Sequence, residues 1–316
     1  WLFLTGKNGY GKTCILQAIY AALLGGRDQG MLLDANDFLL KLKAYNPDKP
    51  QFSKTVKPNE VFVWFDQNIP AVAYGASRLS IQAGTSNDEA KRKIAQSFSL
   101  FNPDGVLLNI EYELYNWFLR SDSTHIDKKQ ASELKQRYNS VVKALLLLMP
   151  NIASIDVNVS ANRIEYTEKD EDGLPLLEKR VFQELASGNK SIIALVGDII
   201  IRLFDLHREV TSLAKLGGVV IIDEFDLHLH PEWQKKLPGL LSQVFPKVQF
   251  IVSTHSPIPF LGAPKNNLRQ LKQEGAPRKV RLLKRSTTAI AVSSNTKAKP
   301  STATTAPKIS SLLFRV

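Results

Sequence analysis

The sequence predicts an α/β protein built on a mainly parallel sheet, and three observations lead to this fold class. In its second half, short strands rich in β-branched residues alternate with amphipathic helices. Near its start, a glycine-rich loop over residues 6–13 joins a strand to a helix. The composition, with 44% apolar and 22% charged residues among 316, is that of a globular protein with a large core.

The individual elements follow from hydrophobic periodicity and from stop signals such as Gly25-Gly26 and Pro150. Helices, with apolar residues three and four positions apart, are predicted over 12–24, 88–98, 106–120, 128–149, 190–211 and 231–245. Strands, with alternating or continuous apolar residues, are predicted over 1–5, 61–74 (two short strands), 155–159, 163–167, 176–182, 218–223 and 248–253.

These elements divide the chain into four parts. Residues 1–85 form a lobe that carries the glycine-rich loop, and residues 86–150 form a helical insert. Residues 151–265 complete the α/β core. Residues 266–316 are a basic tail that we expect to be disordered, because its Ser/Thr/Ala/Pro-rich stretch over 286–306 cannot bury a core.

The net charge of +11 is concentrated in this tail. Residues 266–316 hold eleven Lys/Arg and one acid, whereas residues 1–265 hold 30 Lys/Arg and 29 Asp/Glu. The charge therefore does not argue for DNA binding by the folded part. Two interpretations of the tail stay open: its basic run over 278–285 binds nucleic-acid phosphates, or the tail is the product of a truncated or frameshifted gene.

Composition also favours a cytoplasmic protein without a membrane segment. The longest apolar run, over 144–149, has six residues and is far too short to span a bilayer. No basic-then-apolar leader is present, and the lone Cys14 suits a reducing compartment. Because the chain opens at Trp1 within a predicted strand, we expect further residues upstream in the natural protein.

The strongest motif is G-K-N-G-Y-G-K-T, a complete G-x-x-x-x-G-K-[ST] phosphate-binding loop. Glycines let backbone N–H groups surround phosphates, and the following helix N-terminus adds its positive end. Lys12 supplies a charge to the β- and γ-phosphates, and the Thr13 hydroxyl can ligate Mg²⁺. The predicted nucleotide-binding residues are Gly6, Asn8, Gly9, Gly11, Lys12 and Thr13.

A second motif ends the strand over 218–223 with Asp223 and Glu224. If this strand lies beside the loop strand, Asp223 can hold Mg²⁺ through water and Glu224 can act as general base on a water molecule. An apolar run followed by Asp-Glu is, by itself, also a common strand end.

Two weaker motifs allow a plain structural interpretation. Ser187-Gly188 lies at a predicted helix start, where it suits either an anion site or a helix N-cap. His255 follows a buried strand, where a lone histidine is usually an ordinary loop residue. A metal cluster could be drawn from further polar residues of this region, although the spacing is weak support for it: His228, His230, Glu232 and His255.

The order of these motifs along the chain resembles the order found in the ATP-binding-cassette-type ATPases of the SMC, RecF and OLD branch. The resemblance covers residues 1–265 and includes D-E-F-D-L-H-L-H-P-E-W from Asp223 and T-H-S-P from Thr254. More narrowly, the segments 73–78 and 182–203 resemble the phage-defence ATPases of the Septu and retron-associated kind.

The resemblance implies ATP and Mg²⁺ held between the two subunits of a homodimer or higher homo-oligomer. One subunit would contribute the glycine loop, and its partner would cap the γ-phosphate with Ser187 and Gly188. The family pattern makes Glu224 the general base, Asp226 a subunit-contact residue and His255 a γ-phosphate sensor.

Two departures from the family pattern affect these assignments. The signature reads Leu-Ala-Ser-Gly-Asn where Leu-Ser-x-Gly is usual, which favours weaker capping. The glutamine loop has two competing candidates, Gln67 and Gln82.

The sequence therefore predicts an ATPase that dimerises on ATP and regulates a partner effector, a nuclease, in phage defence or DNA-end processing. No nuclease motif occurs in the chain itself. The alternative is a RecF-like repair or recombination clamp that binds DNA under ATP control. A transporter cassette is disfavoured by the insert between Arg78 and Met149.

Overall fold

A computed structural model describes residues 1–24, 39–46, 49–56, 70–76, 98–101, 107–227, 229–264, 267–274, 279–284 and 308–315. Several predicted features lie outside these residues. They are the first strand of 61–74, most of the helix over 88–98, the helix stop at Gly25-Gly26, both glutamine-loop candidates, His228 and the low-complexity stretch 286–306.

The described elements follow the predicted alternation of strands and helices. The strands are β1 (Leu2–Thr5), β2 (Leu39–Asn46), β3 (Lys49–Val56), β4 (Ala71–Tyr74), β5 (Ile152–Asn158), β6 (Arg163–Lys169), β7 (Pro175–Arg180), β8 (Gly217–Ile222), β9 (Lys247–Ser253), β10 (Asn267–Glu274), β11 (Lys279–Lys284) and β12 (Lys308–Arg315). The helices are α1 (Lys12–Leu24), α2 (Phe98–Phe101), α3 (Ile110–Ser121), α4 (Lys128–Leu148), α5 (Ser187–Leu206), α6 (Pro231–Val244) and α7 (Ile258–Gly262).

A six-stranded sheet forms the centre of the molecule, in the order β11-β10-β1-β9-β8-β4. Every neighbouring pair in it is parallel except β10 with β11, so the predicted mainly parallel sheet is confirmed. Because parallel strands end at the same edge, the residues that follow β1, β8 and β9 lie together. This edge positions the candidate site.

Helix α5 contributes a long apolar segment to the core. Nearly all of its residues from 192 to 204 are buried, and it packs against β4 and β8. Such an apolar helix is stable only inside a core. It begins at Ser187 rather than at the predicted residue 190, because Ala186 occupies the N-cap position.

The strands β5, β6 and β7 form a separate antiparallel sheet beside helices α3 and α4. One of its faces buries Ile155, Ile164 and Tyr166. The Tyr166 hydroxyl donates a hydrogen bond of 3.0 Å to Glu111 Oε1 on α3, which joins the sheet to that helix. The three strands predicted for this region are thus present.

A third sheet, ordered β12-β2-β3, is antiparallel throughout. The sequence did not predict β2 and β3, which pair as a hairpin within the first lobe. Its third strand comes from the far end of the chain.

The segment 267–274 differs from the sequence prediction, which placed the start of a disordered tail at residue 266. It is strand β10, which pairs in parallel with β1 from Leu2↔Asn267 to Thr5↔Gln270. Leu271 within it is 1% exposed. The prediction failed because Leu268 and Leu271 are three residues apart and do not alternate, so the strand is defined by its pairing with β1. In the rest of the tail, β11 and β12 are also strands.

Candidate nucleotide-binding site

The glycine-rich loop connects β1 to α1, as the motif predicts. Gly9 and Gly11 have φ angles of +76° and +75°, a left-handed conformation that side chains other than glycine rarely adopt. Gly6 is needed for a different reason, since a Cβ atom there would lie 3.0 Å from the Cβ of Leu271. The loop is therefore shaped by its own glycines and by the neighbouring strand β10.

Lys12 lies inside the curl of this loop and is 7% exposed. Its ammonium donates hydrogen bonds to the carbonyl oxygens of Gly6 at 2.9 Å and Lys7 at 3.3 Å. Burial lowers the pKa of Lys12, and the carboxylates of Asp223, Glu224 and Asp226 oppose this shift. A cation is thus held between loop backbone and carboxylates, in the position that the motif assigns to phosphate binding.

Thr13 and Asp223 meet where α1 begins and β8 ends. The Thr13 hydroxyl donates to Asp223 Oδ2 over 2.6 Å, and the carboxylate itself is buried. Its second oxygen, Oδ1, accepts a hydrogen bond from the Ser253 hydroxyl at the end of β9. Hydroxyl and carboxylate oxygens are the ligands that Mg²⁺ prefers, so this pair fits the cation implied by the P-loop.

Other metal clusters are not formed in the part of the chain that the structure describes. No group of three or more His, Cys, Asp or Glu side chains there is arranged to hold a metal ion. The cluster considered around His230, Glu232 and His255 is therefore not supported by the described residues.

Glu224 follows Asp223 in an unusual backbone conformation, with a φ angle of +48°. This left-handed geometry costs a non-glycine residue about 1 kcal/mol or more and is frequent at functional sites. The Glu224 N–H donates to Ser253 Oγ at 2.7 Å, which holds the turn against β9. The same serine therefore fixes both acidic residues of the motif.

Asp226 and His255 are also neighbours. The backbone N–H of His255 donates to Asp226 Oδ1 at 3.3 Å, and the histidine is exposed. The two residues that the family pattern assigns to subunit contact and phosphate sensing thus lie at the same edge of the sheet as Asp223.

Ser187 and Gly188 lie in the first turn of α5. Ser187 is exposed, and no side-chain hydrogen bond caps the helix, so the N-cap interpretation of Ser187 is wrong. A Cβ atom on Gly188 would lie 3.6 Å from the Trp233 indole nitrogen on α6. The pair therefore adjoins the start of α6.

Sequence reasoning missed two residues that contact Asp223. One is Ser253, and the other is Tyr74, whose carbonyl oxygen accepts the Asp223 N–H at 2.8 Å. Both contacts follow from the register of the strands, which the sequence does not reveal. Ile222, the residue before Asp223, pairs with Tyr74 on one side of β8 and with Val252 on the other.

A strand, a glycine-rich loop and a helix place Lys12 and Thr13 beside the acidic end of a neighbouring parallel strand. The chain has the fold of a P-loop ATPase. Residues 114–258 match a family model described as an AAA domain, putative AbiEii toxin, type IV TA system.

Relatives of this chain include members of two groups. The chain is 27% identical over 276 residues to the Septu protein PtuA of Bacillus mycoides (strain KBAB4), covering 83% of this chain and 35% of the relative. It is 49% identical over 74 residues to the Retron Vc95 probable ATPase of Vibrio cholerae serotype O1 biovar El Tor, covering 23% of this chain and 14% of that protein. The predicted resemblance to Septu and retron-associated ATPases is confirmed.

The chain spans only about a third of the length of the Septu relative from B. mycoides and a smaller share of the retron protein. Among solved structures, it is similar to the SMC head domain from Thermotoga maritima, with a TM-score of 0.45, 14% identity and 90% of each chain covered. None of the described helices is both long enough and apolar enough to cross a membrane.

Proposed function

We propose that this chain binds ATP with Mg²⁺, hydrolyses it within a homodimer in the cytoplasm, and thereby regulates a partner effector in phage defence or DNA-end processing. The observation that carries the proposal is the contact of Thr13 with Asp223 beside the buried Lys12. It unites a phosphate-binding loop and a carboxylate suited to Mg²⁺ at one edge of a parallel sheet.

Binding would use the loop and its basic residue. The backbone N–H groups of the glycine loop and the α1 N-terminus favour an anion, and Lys12 adds a full positive charge for the β- and γ-phosphates. Mg²⁺, held by Thr13 and Asp223, would neutralise phosphate charge. These residues position and neutralise the substrate, which is most of what phosphoryl transfer requires.

Glu224 would then accept a proton from the attacking water. Its backbone is fixed on one side by Ser253 and on the other by the hydrogen bond from Phe225 N to Ser253 O at 2.9 Å. A backbone held in this way restricts where the Glu224 carboxylate can lie, which reduces the reorganisation that a general base needs during the reaction.

The dimer part of the proposal rests on Ser187. It is exposed in the first turn of a 20-residue helix, where its side chain does not cap the helix. An exposed helix start favours a negative group brought by another molecule, which here would be the γ-phosphate bound by a second copy. Gly188 would approach the same phosphate, and Asp226 and His255 would contact the opposing subunit and the γ-phosphate.

The partner would be a nuclease, which is what the resemblance to phage-defence ATPases implies. Two matches support parts of the proposal: the family description names a toxin of a type IV TA system, which favours a defence role, and the retron relative is named a probable ATPase, which favours hydrolysis. The effector would receive the ATP-dependent change of the dimer.

Substituting Glu224 by Gln tests the hydrolytic role. We expect ATP affinity to be preserved and turnover to fall by about 10²- to 10⁴-fold, because an amide cannot accept the proton. Phosphate release measures turnover and calorimetry measures affinity. Glu232→Gln is the matched control, since Glu232 is exposed and paired only with Lys236 over 2.6 Å among the ion pairs described.

Two outcomes would contradict the proposal. Unchanged turnover in Glu224→Gln would place the general base elsewhere. Failure of the wild-type protein to bind ATP would exclude the nucleotide site. ATP-dependent DNA binding by the purified protein, without any partner, would instead favour the RecF-like clamp.

A further inference from the structure

Tyr74, at the end of β4, makes hydrogen bonds to two different elements of the structure. Its backbone oxygen accepts the Asp223 N–H at 2.8 Å, next to the candidate Mg²⁺ ligand. Its phenolic hydroxyl donates to Asp198 Oδ2 on α5 at 2.7 Å. One buried residue therefore joins the acidic end of β8 to the helix that begins with Ser187 and Gly188.

Asp198 is fully buried, at 0% exposure, and it is surrounded by donors. Besides the Tyr74 hydroxyl, it accepts the Leu108 N–H at 2.7 Å and a charge-assisted bond from Arg202 Nε, one helical turn further along. Burial, together with the nearby Asp198 charge, raises the pKa of Tyr74 well above its usual value, so the phenol stays a donor.

A buried ion pair of this kind does not stabilise a core more than apolar side chains of similar volume would. Well-packed apolar side chains are often as stable as a buried ion pair, because both charges lose their hydration. Around Asp198 and Arg202, α5 is otherwise almost entirely apolar and buried. The polar group therefore fixes the relative position of β4 and α5 more specifically than apolar packing alone would.

The helix geometry makes this position relevant to Ser187. Asp198 lies eleven residues after Ser187 in an unbroken helix, about 16 Å along the axis at 1.5 Å per residue. Because the middle of α5 is enclosed by the core, its start moves with Asp198 as a rigid body. Gly197 adds a close approach, since a Cβ atom there would lie 2.6 Å from Ile110 Cβ.

We propose that Tyr74 is a positioning residue that couples the start of α5 to Asp223 through Asp198 and Arg202. The two segments joined here, 73–78 and 182–203, are those that carry the narrower Septu-like and retron-like resemblance. The inference rests on the proposed function: a change at the Mg²⁺ end of the site would alter the orientation of Ser187 and Gly188 toward a second subunit.

Tyr74→Phe tests this inference, because it removes the bond to Asp198 and keeps the backbone bond to Asp223. Tyr166→Phe is a closely matched control: its phenol is also fully buried and donates to a carboxylate, Glu111, at 3.0 Å. We expect both variants to unfold at lower denaturant concentration. Only Tyr74→Phe should lower kcat, by about 3- to 30-fold, with the KM for ATP nearly unchanged.

Hydrogen exchange supplies a readout that does not depend on turnover. ATP should change the exchange rates of the amides over 187–191 in the wild type and in Tyr166→Phe, and much less in Tyr74→Phe. Equal kcat values in the two variants, or the same ATP-induced exchange change in both, would reduce Tyr74 to a packing residue. Absence of ATP hydrolysis by the wild type would overturn the proposed function instead.

Discussion

At the scale of single residues, Asp223 is held in place by hydrogen bonds to three residues from three different segments. Thr13 contacts one carboxylate oxygen, Ser253 contacts the other, and the Tyr74 carbonyl accepts the backbone N–H. Hydrogen bonds to an ionised group are stronger than those between neutral groups. The acid is therefore oriented before any ligand binds, which lowers the reorganisation that catalysis would otherwise require.

Ser253→Ala should separate this orientation from ordinary stability. The variant leaves Asp223 Oδ1 and the Glu224 N–H without their shared hydroxyl, so we expect kcat for ATP to fall about tenfold and the unfolding free energy by about 1–3 kcal/mol. Steady-state kinetics and denaturant unfolding measure the two effects. Ser242→Ala is the control, because Ser242 Oγ bonds Trp1 and Pro238. An equal loss of kcat in both variants would disprove a special role for Ser253.

The sequence could predict which residues lie together in the candidate site only where the backbone demands particular residue types. Gly9 and Gly11 are needed for positive φ angles, and a helix start beside a buried strand end brings Thr13 and Asp223 together. Ser253 and Tyr74 could not be identified in this way, because their contacts depend on how β4, β8 and β9 align. The roles assigned to all of these residues stay predictions until tested.

At the scale of elements, local periodicity predicted the described helices better than the strands, since β2, β3, β10, β11 and β12 were all missed. Helix α1 begins and ends at the predicted residues, and α4 ends one residue early, because their apolar spacing and stop signals are local. Strand β10 was missed because it is rich in polar residues and is stabilised by pairing between β1 and β11. Pairing between distant segments is not encoded in a local pattern.

The contact between α3 and β6 makes stability depend on pH. Burial raises the pKa of Glu111 from 4.5 to about 7, although the hydrogen bond from Tyr166 opposes this shift. The folded protein therefore binds a proton more tightly than the unfolded chain, and the free energy of unfolding falls as pH rises from 4.5 to about 7. The loss is at most about 3 kcal/mol, is complete above that range and is absent below it.

Glu111→Gln should remove this dependence, since the amide stays neutral and still accepts the Tyr166 hydrogen bond. Denaturant unfolding at several pH values between 4 and 8 measures the effect, with wild type and variant compared at each pH. We expect the difference in unfolding free energy between the two proteins to grow in favour of the variant as pH rises. Parallel pH profiles would show that Glu111 ionises in the folded protein as readily as in the unfolded chain.

At the scale of the whole molecule, strand β10 links the C-terminal region to the phosphate-binding loop. Its first four residues pair with β1, and Leu271 lies so close to Gly6 that a Cβ atom added there would be 3.0 Å from the Leu271 Cβ. Removing it would expose the edge of β1 and uncover the loop on one side. The basic tail therefore begins with a structural strand, and β11 and β12 further along it also belong to sheets.

Two truncations test the role of β10. A protein ending at residue 266 loses β10 and should be poorly soluble and unable to bind ATP, because β1 becomes an exposed edge strand. A protein ending at residue 284 keeps the six-stranded sheet and should fold and bind ATP. Circular dichroism and calorimetry compare them. Normal folding and ATP binding by the shorter protein would show that β10 is dispensable.

The proposed dimer, in which each ATP site is shared between two subunits, predicts how two defective variants behave when they are mixed. Ser187→Arg places a guanidinium where the proposed dimer brings a γ-phosphate already contacted by Lys12 and Mg²⁺, so ATP should bind while dimerisation and hydrolysis fall. Lys12→Ala should abolish ATP binding. In a mixed dimer one site carries both lesions and the other is intact, because each site takes Lys12 from one subunit and Ser187 from the other. Phosphate release should therefore recover partly on mixing. Full activity of Ser187→Arg alone, or no recovery in the mixture, would contradict sites shared between subunits.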